Sequence, residues 1–195
     1  MITFDRHLES VARKASQKVT LLRRMKHLLN TTNLMTLYKA QVRPIMEYAP
    51  LTWMASAQCH LNLLDRVQRR AMRLINEQAQ LQPQHQGVDQ CPIDTLEHRR
   101  RVGALTVLHK AQVQRVSHLV ELRVPWRRVE RNTRTVLSSN LLLEIPRSNT
   151  SRHQRTFTSK TAAEWNLFTA DVDVQQLTTH QAKLAAHAWC RTHPP

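Results

Sequence analysis

The chain has 195 residues, and its hydrophobic fraction of 41% is enough to bury a core. Its two glycines argue against a glycine-rich phosphate loop and against a turn-dense all-β fold. The formal net charge of +15 exceeds the magnitude of roughly 2 to 8 that suits the solubility of a small domain, so it favours polyanionic partners. Three widely spaced cysteines do not form a disulfide framework, and no apolar run is long enough to span a membrane. We expect an intracellular protein of the nucleus or cytoplasm, neither secreted nor membrane-bound.

Apolar residues recur at steps of three and four over residues 7–29, which predicts a first amphipathic helix. A second helix is predicted over 33–55, with a bend before Pro44 because proline lacks a backbone donor. A third helix is predicted over 57–79, and a fourth over 93–122. The third has an apolar seam at heptad spacing, formed by Leu64, Val67, Ala71 and Leu74.

The helical pattern weakens in the last third of the chain. Residues 125–158 mix polar residues, prolines and short apolar runs, which predicts a loop-rich segment. Short helices are predicted over 159–168 and 174–191. We therefore predict a mainly α protein, with a small bundle of about four helices over 1–122 and a loop-rich C-terminal extension with one or two short helices over 123–195.

Basic side chains cluster at several places on these predicted helices. The strongest cluster occupies one face of the third helix at i, i+3, i+4 and i+7, and we call it the arginine stripe: Arg66, Arg69, Arg70 and Arg73. Like charges at these spacings destabilise a helix, and an anionic partner would relieve that cost. Arginine also binds phosphate oxygens through paired donors, without reading sequence. Weaker nucleic-acid-binding candidates are Arg23, Arg24, Lys26, Arg99, Arg100 and Arg101. A solvated helix face is the alternative for each cluster.

Three aromatic residues lie close to the apolar stripe of the second predicted helix: Tyr38, Tyr48 and Trp53. Stacking on nucleic-acid bases is one role open to them. Packing in the core, with the polar tip hydrogen-bonded, is the commoner outcome for such residues.

The sequence offers no residues for catalysis. Two-metal catalysis needs clustered carboxylates to hold its ions, and no adjacent Asp-Asp pair occurs; Asp171 and Asp173 are two apart in a predicted turn. His187, Cys190 and His193 recur every three residues, but a fourth zinc ligand is not evident. We expect no catalytic site, no metal and no cofactor.

Several phrases, in order and spacing over nearly the whole chain, resemble the segment that follows the palm in non-LTR (LINE-like, jockey-type) retrotransposon reverse transcriptases. The most specific are L-Y-K-A-Q-V-R-P at 37–44 and L-D-R-V-Q-R-R-A at 64–71. The other phrases lie at 2–8, 12–24, 47–53, 73–75, 96–100, 155–157, 165–166 and 187–189. In one departure from the family, the Leu-Pro that usually follows Trp-Asn is missing after Asn166.

The resemblance implies a helical, thumb-like region that grips the template–primer duplex behind the active site. The fingers and the palm, with its Tyr-X-Asp-Asp box, are not in this sequence. We therefore expect a fragment of an RNA-directed DNA polymerase, not an enzyme, that retains at most sequence-independent binding to RNA, DNA or an RNA–DNA hybrid. The missing palm, or another protein, is a further expected partner for exposed apolar helix faces. The alternative is a domesticated or incidental helical protein-interaction module without nucleic-acid binding.

Overall fold

The computed structural model describes residues 4–81, 93–127 and 141–194. In these residues the protein is mainly helical, which confirms the predicted fold class, and they contain no β-strand. Most of the segment between the third and fourth predicted helices lies outside them. None of the helices within these ranges combines the length and apolar content that crossing a membrane requires.

The chain divides into two compact units, Met1–Leu96 (unit 1) and Glu97–Pro195 (unit 2). The sequence predicted a helical bundle over 1–122, whereas all but the first four residues of the fourth predicted helix lie in the second unit. The reason is packing, because Val102 and Leu105 of that helix share a core with residues of the last two helices. Apolar periodicity shows that a helix has a core-facing side, but it does not show which core that side joins.

Unit 1 is built around two long helices that are joined by a series of shorter ones. Its helices in the described residues are α1 (Asp5–Met25), α2 (Thr31–Leu37), α3 (Arg43–Met46), α4 (Pro50–Trp53) and α5 (Gln58–Leu81). The predicted bend takes the form of a π-helical turn over Tyr38–Val42, in which the Arg43 amide donates to the Tyr38 carbonyl five residues back. Pro44 explains the wider turn, since it has no amide hydrogen and its ring clashes with the carbonyl four residues before it.

Helices α1 and α5 run parallel and form the main packing of unit 1. Asp5 and His60 lie 3.7 Å apart near the start of both helices, and Lys26 and Glu77 lie 3.9 Å apart near their ends. All four residues of the heptad seam of α5 are buried in the core of unit 1, as predicted. Full burial of a leucine side chain such as Leu64 contributes about 1.5–3 kcal/mol.

Unit 2 encloses a second core. Its helices in the described residues are α6 (Leu96–Gln112, beginning at the last residue of unit 1), α7 (Ser151–Gln154), α8 (Phe157–Asp171) and α9 (Thr179–Thr192), with a 3₁₀ helix over Ser117–Leu122. Trp165 and Phe168 of α8 and Trp189 of α9 pack with the apolar side chains of α6 in this core. The described parts of the predicted loop-rich segment 125–158 contain an isolated antiparallel bridge between Trp126 and Leu143 and the one-turn helix α7.

Two adjacent residues of α8 hold the non-helical segment around that bridge. The side chain of Asn166 accepts a hydrogen bond from the Leu143 amide (2.7 Å) and donates one to the Leu143 carbonyl (3.0 Å). Trp165 Nε1 donates to the Leu141 carbonyl at 3.0 Å. The side chains therefore supply the backbone partners that a neighbouring strand would otherwise provide.

We expect Asn166→Ala to lower the free energy of unfolding by about 2–4 kcal/mol, because it leaves both polar groups of Leu143 buried without a partner. Urea denaturation of the purified chain measures this loss. Asn149→Ala, at an exposed position, is the matched control and should change stability by less than about 0.5 kcal/mol. Equal midpoints for the two variants would show that the clamp on Leu143 does not stabilise the unit.

A buried histidine makes unit 2 sensitive to acid. His109 of α6 is 1% exposed, and its Nε2 donates to the Val174 carbonyl at 3.3 Å. Burial lowers the pKa of His109 below its ordinary value, and hydrogen bonds to the Val174 and Leu177 carbonyls oppose that shift without cancelling it. The folded protein therefore favours the neutral imidazole.

We expect stability to fall on acidification, since the unfolded chain binds a proton at His109 near pH 6.5, while the folded chain binds it only at lower pH. The contribution is fully present above about pH 6.5 and is lost as the pH falls toward the folded-state pKa. Thermal melts at about pH 7.5 and 5.5 measure it. His109→Gln keeps a donor for Val174 and does not titrate, so it should give a smaller drop in melting temperature between the two pH values than the wild type gives.

Candidate nucleic-acid interface

The arginine stripe lies on the side of α5 that faces away from the core of unit 1. At about 100° per residue its four positions fall within an arc of roughly 100°, whose centre lies about 130° around the helix from that of the seam. The four side chains are all exposed. With a rise of 1.5 Å per residue, the stripe extends about 10 Å along the helix axis.

The arginines of the stripe form no ion pair in the described structure. None of its four arginines forms an ion pair with a described carboxylate, and Glu77 of the same helix lies beside Lys26 instead. The four i, i+3 and i, i+4 pairs within the stripe cost helix stability by roughly 0.2–0.5 kcal/mol each, or about 1–2 kcal/mol together. Burial of the seam outweighs this cost, so the fold tolerates the stripe without needing it.

One edge of the stripe borders an open groove of about 420 Å³ between α1 and α5. Arg66 and Arg70 line it from α5, and Arg13 and Ser16 line it from α1. The other edge borders a second shallow depression, which Arg69 and Arg73 line together with Glu77, Met72 and polar side chains of α5. The parallel packing of the two helices thus adds a fifth arginine, from a different helix, to the basic surface.

Sequence reasoning did not select Arg13. It lies among basic residues that are spread over much of α1. Only the packing of α1 against α5 shows which of these residues face the groove. Glu9 is the acidic residue that lines the same groove, one turn before Arg13. The groove therefore has a basic excess of three arginines over one glutamate.

The candidates at the end of α1 remain at the surface of unit 1. Arg23 and Arg24 are exposed in the last turn of α1. Lys26 is half-buried and lies 3.9 Å from Glu77. The structure therefore leaves Arg23 and Arg24 accessible to a ligand, and it gives Lys26 a neighbouring carboxylate.

The three candidates on α6 have a different setting. Arg100 and Arg101 are buried, and Arg99 is partly buried. The Arg101 guanidinium lies 3.3 Å from Glu164, donates to the His193 carbonyl at 2.7 Å and sits 5.6 Å from the ring centre of Trp189. These contacts fix Arg101 inside unit 2, so we leave Arg100 and Arg101 out of the candidate interface.

The histidines and cysteine near the C-terminus each have their own surroundings. His187 lies 3.0 Å from His98, nitrogen to nitrogen, and the ring of His193 stacks on Trp189. Burial raises the pKa of Cys190 to about 11, so its thiol is protonated at neutral pH. A zinc ligand would have to be a thiolate, which makes Cys190 a poor one.

Two of the three aromatic candidates are core residues. Tyr38 is 0% exposed and Trp53 2% exposed, whereas Tyr48 is 78% exposed.

Comparison of the chain with known protein families, with curated proteins and with solved structures finds no match. The candidate site therefore rests on its own geometry and charge.

Proposed function

We propose that unit 1 binds nucleic acid through the arginine stripe, with Arg13 and the exposed arginines at the end of α1 as further contacts. The observation that carries the proposal is a row of four exposed guanidinium groups on one helix face, with no ion-pair partner among the described residues. Such a row destabilises its own helix, and a polyanion would remove that cost. Contacts of this kind hold the phosphate backbone and do not depend on base sequence.

The proposal includes an origin for this activity. The ordered phrases shared with non-LTR retrotransposon reverse transcriptases support a chain that corresponds to the region downstream of the palm, where a thumb-like helical region grips a duplex. On this proposal RNA, DNA and RNA–DNA hybrids are all ligands, and the chain has no polymerase activity of its own. The described fold is compatible with that origin, since the described residues of unit 1 are mainly helical.

The salt dependence of binding tests the proposal. If all four arginines of the stripe contact phosphates, the slope of log K against log salt should be about −3.6 for duplex DNA, at about 0.9 per contact. Affinity should then fall about 150-fold between 50 and 200 mM salt. Fluorescence anisotropy with labelled duplexes of two unrelated sequences measures both the slope and the lack of sequence preference.

A protein-interaction module is the second candidate function, and exposed apolar side chains favour it. Leu28 and Leu81 of unit 1 are both more than two-thirds exposed, as is uncommon for leucine. If the wild-type chain binds neither duplex at 50 mM salt, the nucleic-acid proposal is wrong and the interaction module takes its place.

A further inference from the structure

The connection between α3 and α4 holds an aromatic side chain out in solvent. Tyr48 is 78% exposed, although the next aromatic along the chain, Trp53, is buried. Ala49, which follows it, has a left-handed backbone (φ 46°, ψ 49°), a conformation that costs a residue with a Cβ atom about 1–2 kcal/mol. Pro50 contributes to this choice, because it disfavours the right-handed helical conformation in the residue before it.

Hydrogen bonds on both sides of the strained residue fix this conformation. Trp53 Nε1 donates to the Tyr48 carbonyl at 3.2 Å, so the anchor for Tyr48 is itself a core residue. The amide and the hydroxyl of Thr52 both donate to the Ala49 carbonyl, at 3.2 and 2.8 Å. The backbone that carries the exposed ring is therefore held in place rather than free to fold the ring against the unit. Strain retained in this way is a feature of sites with a function.

Tyr48 comes seven residues after Gln41, on a segment that leads toward the end of unit 1 where α1 and α5 begin. The Leu29 carbonyl accepts a hydrogen bond from the Gln78 side chain near the end of α5, and the Gln41 side chain accepts one from Lys18 midway along α1. The segment from α2 to α3 therefore runs antiparallel to α1. Arg66, the first arginine of the stripe, is eight residues into α5, about 12 Å from that end.

We infer that Tyr48 is a stacking platform for an unpaired base of a single-stranded nucleic acid whose backbone is held by the arginine stripe. This inference rests on the proposed function. A planar ring presented to solvent stacks on any base, because every base has a π-face. A base inside a duplex is already stacked on its neighbours, so the ring adds affinity for single strands and not for continuous duplex.

The test compares one variant on two probes, a twelve-residue oligothymidylate and a covalently closed circular duplex. Tyr48→Ala should weaken oligothymidylate binding about tenfold, equivalent to about 1.4 kcal/mol, and duplex binding less than twofold. Tyr48→Phe keeps the ring and should bind both probes as the wild type does. Leu28→Ala removes another exposed apolar side chain of unit 1 and is the matched control, with no expected change on either probe.

Three outcomes overturn the inference. If Tyr48→Ala binds oligothymidylate as tightly as the wild type, the ring does not stack, and the proposed function still stands provided that the wild type binds the circular duplex with the expected salt dependence. If Tyr48→Phe is as weak as Tyr48→Ala, the hydroxyl and not the ring makes the contact. If the wild type binds neither probe, the proposed function and the stacking role fail together.

Discussion

Replacing the arginine stripe with glutamate is expected to abolish binding to duplex DNA while leaving the helical content of the chain unchanged. The four substitutions are Arg66→Glu, Arg69→Glu, Arg70→Glu and Arg73→Glu. The side chains point away from the core, and glutamate has nearly the same helix propensity as arginine. Binding should fall by at least about 100-fold at 50 mM salt, since four phosphate contacts are replaced by four repulsions. Fluorescence anisotropy measures the affinity, and circular dichroism measures the helical content.

A matched control distinguishes the effect of losing the stripe from the effect of lowering the net charge. Each reversal removes two units of positive charge, so any four reversals lower the net charge from +15 to +7. The control variant carries the same change at four exposed positions elsewhere, Lys14→Glu, Lys39→Glu, Arg147→Glu and Lys183→Glu. It should keep an affinity within a few fold of the wild type at 150 mM salt, where the Debye length is about 8 Å. Equal losses in the two variants would mean that charge alone attracts the ligand and that the stripe is not a site.

A variant with four glutamines in place of the stripe gives a second, independent test. Replacing the four arginines with glutamine removes the mutual repulsion along α5, worth about 1–2 kcal/mol over four pairs. This variant should therefore unfold at a higher urea concentration than the wild type and yet bind duplex DNA weakly. A gain in stability together with a loss of binding cannot be explained by misfolding.

The sequence was sufficient to predict most of unit 1. The apolar periodicity of α1 and α5 is strong because each helix has one buried side and one solvated side. The bend before Pro44 follows from the covalent structure of proline, and the seam of α5 follows from heptad spacing. The exposed stripe could be predicted for the same reason, since its residues alternate with the seam on a helix of known period. Arg13 could not, because its role depends on how two helices pair.

Helix α6 shows why the arginines of unit 2 were harder to place. It has buried residues on nearly every side, among them Val102, Ala104 and Leu105 at almost consecutive positions. A helix that is buried all round has no polar side where charged residues must lie. Arg101 is accommodated there by Glu164 and the ring of Trp189, and these partners are about 60 and 90 residues away in sequence. Local pattern holds no information about such partners.

The resemblance singled out Trp165 and Asn166 as a pair, and the structure gives the pair a physical role. Both bind backbone groups of the segment Leu141–Leu143, which has no regular secondary structure of its own. Trp165 also fills the centre of the unit 2 core, with its ring 6.3 Å from that of Phe168. These two residues therefore serve packing and backbone hydrogen bonding in unit 2.

Trp165→Ala is expected to cause the largest loss of stability among single substitutions in unit 2. The side chain is 0% exposed, and its removal leaves a cavity and deletes the hydrogen bond to the Leu141 carbonyl, so the free energy of unfolding should fall by about 3–5 kcal/mol. Leu167→Ala, at a 55% exposed position of the same helix, is the matched control and should cost less than about 1 kcal/mol. Urea denaturation followed by circular dichroism measures both.

Binding of duplex DNA by folded Trp165→Ala should match that of the wild type, because α5 and its stripe belong to the other core. A loss of binding in proportion to the loss of stability would instead place the ligand contacts in unit 2.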